Sequence, residues 1–212
     1  MNIKIYIYFF LATNILVTSQ SYAQDENRLF RTGINYGIGK QQIFPYNSPD
    51  YIYKLNSYKI QIDYQIRKYR VFSYEFLLEP GIYSVKHQLL NKYFVQPKDG
   101  TDYLEKREIF IKEKTITEYV LNIGFIVRYN LKERFSLFIL GSIGPMYSNT
   151  ETERLAKGFA FSDILAVGCA YKTGKIMFEI RPGLRHVSNA DLKLPNSGHN
   201  STNIDFGISV FL

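Results

Sequence analysis

Long runs of strict two-residue alternation constrain this chain more than any other feature of its sequence. Residues 58–67 switch between apolar and polar side chains at every step, and residues 119–129 and 204–210 repeat the pattern. A period of two is typical of β-strands with one apolar and one polar face, whereas a helix repeats every 3.6 residues. The pattern therefore predicts an all-β protein built from strands that separate two environments.

Eight such strands can be placed along the chain. They are predicted at residues 29–40, 57–67, 71–86, 116–129, 135–147, 158–172, 175–188 and 202–212. Each is at least as long as the roughly 9–11 residues that a tilted strand needs to cross a bilayer. The chain therefore has enough strands, of sufficient length, for a small membrane barrel.

The connections between the predicted strands alternate in length. Those after the second, fourth and sixth strands are short, and those after the first, third, fifth and seventh are longer, with the extreme at 87–115. Short periplasmic turns alternating with long outer loops are typical of bacterial outer-membrane barrels. We therefore predict an eight-stranded antiparallel transmembrane outer-membrane β-barrel. The alternative is a soluble periplasmic ligand-binding barrel, which would bury its apolar side chains inside.

The polar faces of the strands are predicted to line the barrel. An eight-stranded barrel is narrow and filled by side chains, so its interior charges are expected to pair with one another. The predicted inward set is Gln61, Asp63, Gln65, Arg67, Glu75, Asn122, Arg128, Glu179 and Arg181.

The N-terminus has the layout of a secretory signal. Lys4 precedes a largely apolar stretch at 5–17, and the small residues Ser21 and Ala23 follow. We predict cleavage after Ala23, which leaves residues 24–212 as a single barrel domain in the bacterial outer membrane. The lone Cys169 excludes an internal disulfide framework. Export and the lack of a nucleic-acid motif argue against nucleic acid, so the net charge of +7 favours an anionic membrane surface.

One pair of polar residues interrupts a predicted lipid-facing row. His186 and Ser188 continue the row of Ile180, Pro182 and Leu184 on the seventh strand, so both point out of the barrel near its outer end. An imidazole beside a serine hydroxyl is what a serine nucleophile needs. The alternative interpretation is that the strand has already left the hydrocarbon here, and that both are ordinary interface residues.

The residues around this pair resemble a known family. His186-Val187-Ser188-Asn189-Ala190, followed by Leu192-Lys193, Pro195-Asn196 and Gly198, is similar to the signature of the PagL-type lipid A 3-O-deacylases. The resemblance implies an outer-membrane esterase that removes the ester-linked 3-O acyl chain of lipid A at a site on the outer barrel wall. No cofactor or metal is implied.

The resemblance also implies roles for individual residues. His186 would be the general base and Ser188 the nucleophile, while Asn189 and Asn196 would stabilise the oxyanion or maintain the site geometry. Lys193 would contact the substrate, which is lipid A or lipopolysaccharide in the outer leaflet. Whether the barrel forms a homodimer is left open.

One position departs from the family pattern. The glutamate expected twelve residues after the serine is replaced by Asn200, which is in phase with the outward row of the eighth strand. An asparagine carbonyl can accept the imidazole N–H, but it cannot stabilise the imidazolium by charge. Asp205 is predicted to face the lumen and Asp191 to lie in the loop, so neither is an obvious substitute. The alternative function is a catalytically weak or inactive barrel with a structural, adhesion or lipopolysaccharide-binding role.

Basic residues near the predicted outer loops suit the phosphates of such a glycolipid. The alternative is a solvated, charged loop with acidic neighbours. These basic residues are Lys86, Lys92, Lys98, Lys106, Arg107, Lys112, Lys114 and Lys193.

Overall fold

Eight antiparallel strands form a closed ring in a computed structural model, which describes residues 30–41 and 43–212. The strands are β1 (Phe30–Lys40), β2 (Tyr51–Tyr69), β3 (Phe72–Leu89), β4 (Lys114–Asn130), β5 (Phe135–Ser148), β6 (Gly158–Thr173), β7 (Ile176–Ser188) and β8 (His199–Phe211). The predicted signal peptide at 1–23 lies outside the described residues. The predicted eight-stranded antiparallel barrel is confirmed.

The ring closes because β1 pairs with both β2 and β8. Turns of two to four residues join β2 to β3, β4 to β5 and β6 to β7 at one end, and the longer loops lie at the other end. The loop between β3 and β4 is the longest in the described chain. It contains two 3₁₀ turns, Lys92–Phe94 and Pro97–Asp99, and one helix, α1 (Tyr103–Phe110).

Three strands begin earlier than the alternation predicts, β4 by two residues at Lys114 and the other two by more. β2 starts at Tyr51 instead of residue 57, and β8 at His199 instead of residue 202. The inward side chains of β2 at this end are Tyr51, Tyr53 and Leu55, which are buried. Their apolar character reverses the polar-inward pattern that defines the rest of the strand, so the pattern alone ends β2 too late.

The outer wall is apolar over most of its height. Exposed side chains such as Ile34, Ile60, Ile123, Leu165 and Phe178 alternate with buried ones along each strand. Such a wall is suited to lipid, because apolar side chains that face the hydrocarbon do not need to be buried inside the protein. No helix in the described part of the chain is long and apolar enough to cross a membrane.

The lower interior is filled by a charged network. Arg128 bonds both Glu75, at 2.6 Å, and Glu179, at 2.8 Å, and Arg31 bonds Asp63 at 2.9 Å. A second group joins Lys59 to Asp205 at 2.7 Å and Arg181 to Glu79 at 2.7 Å. Each buried charge therefore has a partner of opposite sign, which offsets its cost of desolvation.

Of the predicted inward set, Gln65 lies opposite the inward Glu75, whereas Arg67 lies on the outer face. Gln65 is half-buried, and Arg67 is exposed with its guanidinium over the ring of Tyr69. A β-bulge between Gln65 and Arg67 shifts the register with β3. An extra residue in one strand reverses the faces that follow it, so the prediction for Arg67 was wrong.

The upper interior holds an apolar cluster beside buried polar groups such as the Arg185–Glu118 pair, which bonds Tyr53 of that cluster. Its buried cluster comprises Tyr51, Tyr53, Leu55, Tyr83, Val85, Ile116, Val120, Met146, Leu155, Ala160 and Val187. Leu155 belongs to the loop between β5 and β6, so this loop dips into the barrel mouth. A smaller cluster of Leu89, Val95 and Phe110 packs the longest loop against the end of β3.

We expect Arg128→Met to lower the free energy of unfolding of the barrel by about 3–5 kcal/mol, because it leaves Glu75 and Glu179 with one fewer buried partner. Urea titration followed by heat-modifiable migration on a gel measures the change. The control is Lys132→Met, in an exposed turn. Equal midpoints for the two variants would contradict a stabilising role for the network.

Candidate active site on the outer wall

His186 and Ser188 lie at the outer end of β7, and Ser188 is the last residue of the strand. His186 is exposed and Ser188 half-buried, while Val187 between them and Arg185 before them are buried. Both side chains therefore point to the outer face of the barrel. Arg185 anchors the strand from inside, where it bonds Glu118 and Ser162 at 2.8 and 2.7 Å.

Asn200 lies directly opposite His186 in the register between β7 and β8. The Nδ1 atom of His186 is 2.8 Å from Oδ1 of Asn200. An amide oxygen only accepts hydrogen bonds, so Nδ1–H donates, and Nε2 is the nitrogen left to accept a proton. Within the described residues, no hydrogen bond joins the Ser188 hydroxyl to this imidazole; such contacts are often long before substrate binds.

Asn189 and Asn196 hold the loop that follows β7. The backbone N–H of Asn189 donates to Oδ1 of Asn196 at 2.7 Å, and the Asn189 side-chain amide donates to the carbonyl of Lys193. Asn196 in turn donates to Asp191 at 2.9 Å. Ala190 and Asp191 both have positive φ angles, so the chain reverses tightly here. These contacts place both asparagines in the scaffold of the loop.

Gly198 lies against the two central side chains. Its φ is +68°, and a Cβ at this position would be 2.6 Å from the carbonyl oxygen of Val187 and 3.2 Å from Cε1 of His186. Only glycine has both the backbone freedom and the small volume for this position. The loop can therefore approach His186 and Ser188 closely.

Arg154, from the loop between β5 and β6, braces this segment. Its Nε donates to the carbonyl of Gly198 at 2.8 Å, and its own carbonyl accepts from the Gly198 N–H at 2.9 Å. Ala156 N–H donates to the Pro195 carbonyl, and Thr152 lies 3.0 Å from Nε2 of His199. The sequence analysis missed this brace, because the two loops are more than 40 residues apart and no spacing links them.

Asp163 is a second residue that the sequence analysis missed. It pairs with His186 in the register between β6 and β7, on the side opposite Asn200. Its neighbours along the outward face of β6 are Phe161 and Leu165. A carboxylate in the outward row of β6 is visible in the alternation, but only the register between β6 and β7 places it beside His186.

The remaining predicted residues are less closely tied to the site. Lys193 is exposed in the loop after β7, and only its carbonyl takes part in the contacts described above. Asp191 bonds Asn196, and Asp205 faces the lumen with Lys59. Neither carboxylate contacts His186.

Comparison with known proteins identifies the family. The family model for lipid A 3-O-deacylase (PagL) matches residues 83–209, which is more than half of the chain. The chain belongs to the PagL family. No curated protein matches it in sequence.

The solved structure of PagL shows the same fold as this PagL-family chain. The crystal structure of the outer membrane enzyme PagL aligns with a TM-score of 0.54 at 14% identity, covering 82% of this chain and 97% of that one. Neisserial surface protein A aligns with a TM-score of 0.47 at 10% identity, covering 86% of this chain and 97% of that one. The family match and the alignment with PagL make this chain an outer-membrane β-barrel, and its family is one of lipid A ester hydrolases.

We expect Arg154→Met to loosen the segment 195–200 without unfolding the barrel, because it removes the side-chain bond to Gly198. Hydrogen–deuterium exchange in this segment should rise by about tenfold, the effect of losing a charged hydrogen bond. The matched control is Arg134→Met, in an exposed turn at the opposite end. Unchanged exchange in segment 195–200 would show that the loop is stable without the Arg154 side chain.

Proposed function

We propose that this barrel is an outer-membrane esterase that removes the 3-O acyl chain of lipid A by serine–histidine acyl transfer. The observation that carries the proposal is the 2.8 Å contact between Asn200 and Nδ1 of His186, on the same outward face as Ser188. This contact orients the ring and leaves Nε2 free to act as the base. The resemblance in residues 186–198 supports the same roles.

The reaction begins when Nε2 of His186 takes the proton of the Ser188 hydroxyl. The serine oxygen attacks the acyl carbonyl carbon, and the tetrahedral intermediate collapses to an acyl-enzyme as the sugar oxygen leaves with the proton from the imidazolium. Water, deprotonated by His186, then attacks the acyl-enzyme, and the fatty acid is released as the Ser188 oxygen takes the proton from the imidazolium. Asn189 and Asn196 support this chemistry by fixing the loop beside Ser188.

An apolar groove on the wall suits the acyl chain. Ser188 pairs with Phe161, and Phe161 pairs with Pro145, so the strands lead directly from the nucleophile into the groove. The groove has a volume of about 960 Å³ and is lined by residues that include Pro145, Tyr147 and Phe159. Binding there would keep the acyl chain in contact with the wall while its ester carbonyl reaches Ser188.

A row of lysines favours a phosphorylated head group. Lys40, Lys54 and Lys86 are directly opposite one another on β1, β2 and β3, all exposed on the outward face near the long loops. Like charges in such positions repel each other, so an anionic partner would stabilise them. Lys86 lies 3.9 Å from Glu113, and no ion pair for Lys40 or Lys54 is found among the described residues.

The row also lies close to the site. Lys40 pairs with Thr202 of β8, two residues after Asn200. A lipid whose phosphate contacts the row can therefore extend along the wall towards Ser188. In this proposal the 1–23 segment directs export and is cleaved, so that the single domain 24–212 reaches its lipid substrate in the outer leaflet.

We expect Ser188→Ala to abolish deacylation while the barrel folds normally, because it removes the nucleophile. Mass spectrometry of lipid A from a host expressing the protein should show loss of one 3-O acyl group with the wild type only. Ser84→Ala is the matched control, since Ser84 is also exposed on the outer wall. Unchanged lipid A with the folded wild type would favour the non-catalytic barrel, which the missing charge at Asn200 supports.

We expect the triple change Lys40→Gln, Lys54→Gln and Lys86→Gln to weaken binding of phosphorylated lipid A by at least tenfold, since each lysine near an anionic surface contributes about 1 kcal/mol. Binding is measured with the Ser188→Ala protein, so that no substrate is consumed. Dephosphorylated lipid A should bind equally to both proteins.

The matched control for the lysine row is the triple change Lys68→Gln, Lys132→Gln and Lys175→Gln, on exposed residues at the opposite rim. It should leave the affinity for phosphorylated lipid A unchanged. An equal loss in both triple variants would show that the general positive charge of the barrel, not this row, attracts the lipid.

A further inference from the structure

We propose that Asp163 supplies the negative charge that Asn200 lacks, by stabilising the imidazolium of His186 during acyl transfer. The inference rests on the proposed function. It follows from one juxtaposition: in the closed ring, His186 has Asn200 beside it on β8 and Asp163 beside it on β6.

Asp163 is in an unusual place for a carboxylate. It is half-buried on the outward face of β6, with Phe161 and Leu165 before and after it in that row. Its partner on β5 is Ile143, which is 62% exposed to the surroundings of the barrel. Charged groups on a lipid-facing wall are unfavourable, so this carboxylate costs stability that a leucine would not.

The carboxylates inside the barrel form ion pairs with basic side chains. Asp63, Glu75, Glu79, Glu118, Glu179 and Asp205 each have an arginine or lysine within hydrogen-bond distance. Asp163 is not in any ion pair within the described part of the chain, and His186 is the titratable group directly across from it. Its position is therefore not explained by a structural ion pair.

The geometry favours action through space. Side chains directly opposite in an antiparallel pair have Cβ atoms about 4.5–5.5 Å apart. His186 is bonded to Asn200, so that residue fixes the ring while Asp163 acts by charge alone. At about 6 Å and an effective dielectric constant of about 20, a charge pair changes a rate by about a hundredfold.

This arrangement differs from a triad in which one carboxylate both orients the histidine and stabilises its positive charge. Here the orienting contact comes from the neutral amide of Asn200, and the charge comes from the other neighbouring strand. Protons still pass only among Ser188, His186, the leaving sugar oxygen and the attacking water, and none is transferred to Asp163. Asp163 is thus a positioning residue that acts on His186 through its charge, without contact to the substrate.

The experiment measures kcat and KM of purified, folded protein on lipid A in detergent micelles. Asp163→Asn should lower kcat by ten- to a hundredfold with little change in KM. Adding Asn200→Asp to this variant should restore most of kcat, because a carboxylate then contacts Nδ1 directly. Glu133→Gln, in an exposed turn at the opposite rim, is the matched control and should behave as wild type.

The outcomes separate this inference from the proposed function. If the wild type is active and Ser188→Ala is not, but Asp163→Asn keeps full kcat, the role of Asp163 is overturned alone. A loss of kcat that Asn200→Asp does not restore also overturns it, since the carboxylate would then matter for structure only. If the wild type is inactive and Asn200→Asp is active, Asp163 does not supply the charge. Inactivity of both would overturn the proposed function as well.

Discussion

The closed backbone ladder is the constraint on which the rest of this structure depends. Lipid offers no hydrogen bonds, so each strand must pair on both edges, and only a ring of strands achieves this. Pairing of β1 with β8 removes the last free edges. Once the ring is closed, side-chain alternation sorts apolar groups to the lipid and polar groups to the interior, where the arginines and carboxylates neutralise one another.

The same ladder builds the candidate site. A cleft enzyme gathers its residues around a pocket, whereas this barrel aligns them across neighbouring strands on a convex wall. The register sets Asn200, His186 and Asp163 side by side on three strands. A one-residue slip of β8 would turn Asn200 into the lumen, so the rigid ladder is what keeps these groups side by side.

The loops complete what the strands begin. Gly198 lets the loop after β7 approach the imidazole, and the paired bonds between Arg154 and Gly198 join this loop to the one between β5 and β6. Because Leu155 of the second loop is buried in the barrel mouth, the site is tied to the apolar cluster of the upper interior. The outer wall and the core thus support the same few residues from opposite sides.

The sequence by itself determined the number of strands, their inward and outward faces, the alternation of short and long connections, and the candidate pair His186 and Ser188. These features are local, since strand period and turn length are written in neighbouring residues. It placed Asn200 on the correct face for the same reason. It misplaced the start of β2 and the side of Arg67, where apolar inward residues and a bulge break the simple period.

Only the tertiary structure decided which residues meet across strands and between loops. The contact of His186 with Asn200, the neighbouring position of Asp163 and the brace from Arg154 all depend on register and on loops distant in sequence. The alternation gives each residue a face but not a height on the barrel. The height of each residue is fixed when the eight strands pair in a closed ring, because each backbone N–H and C=O group then has a set partner on the neighbouring strand.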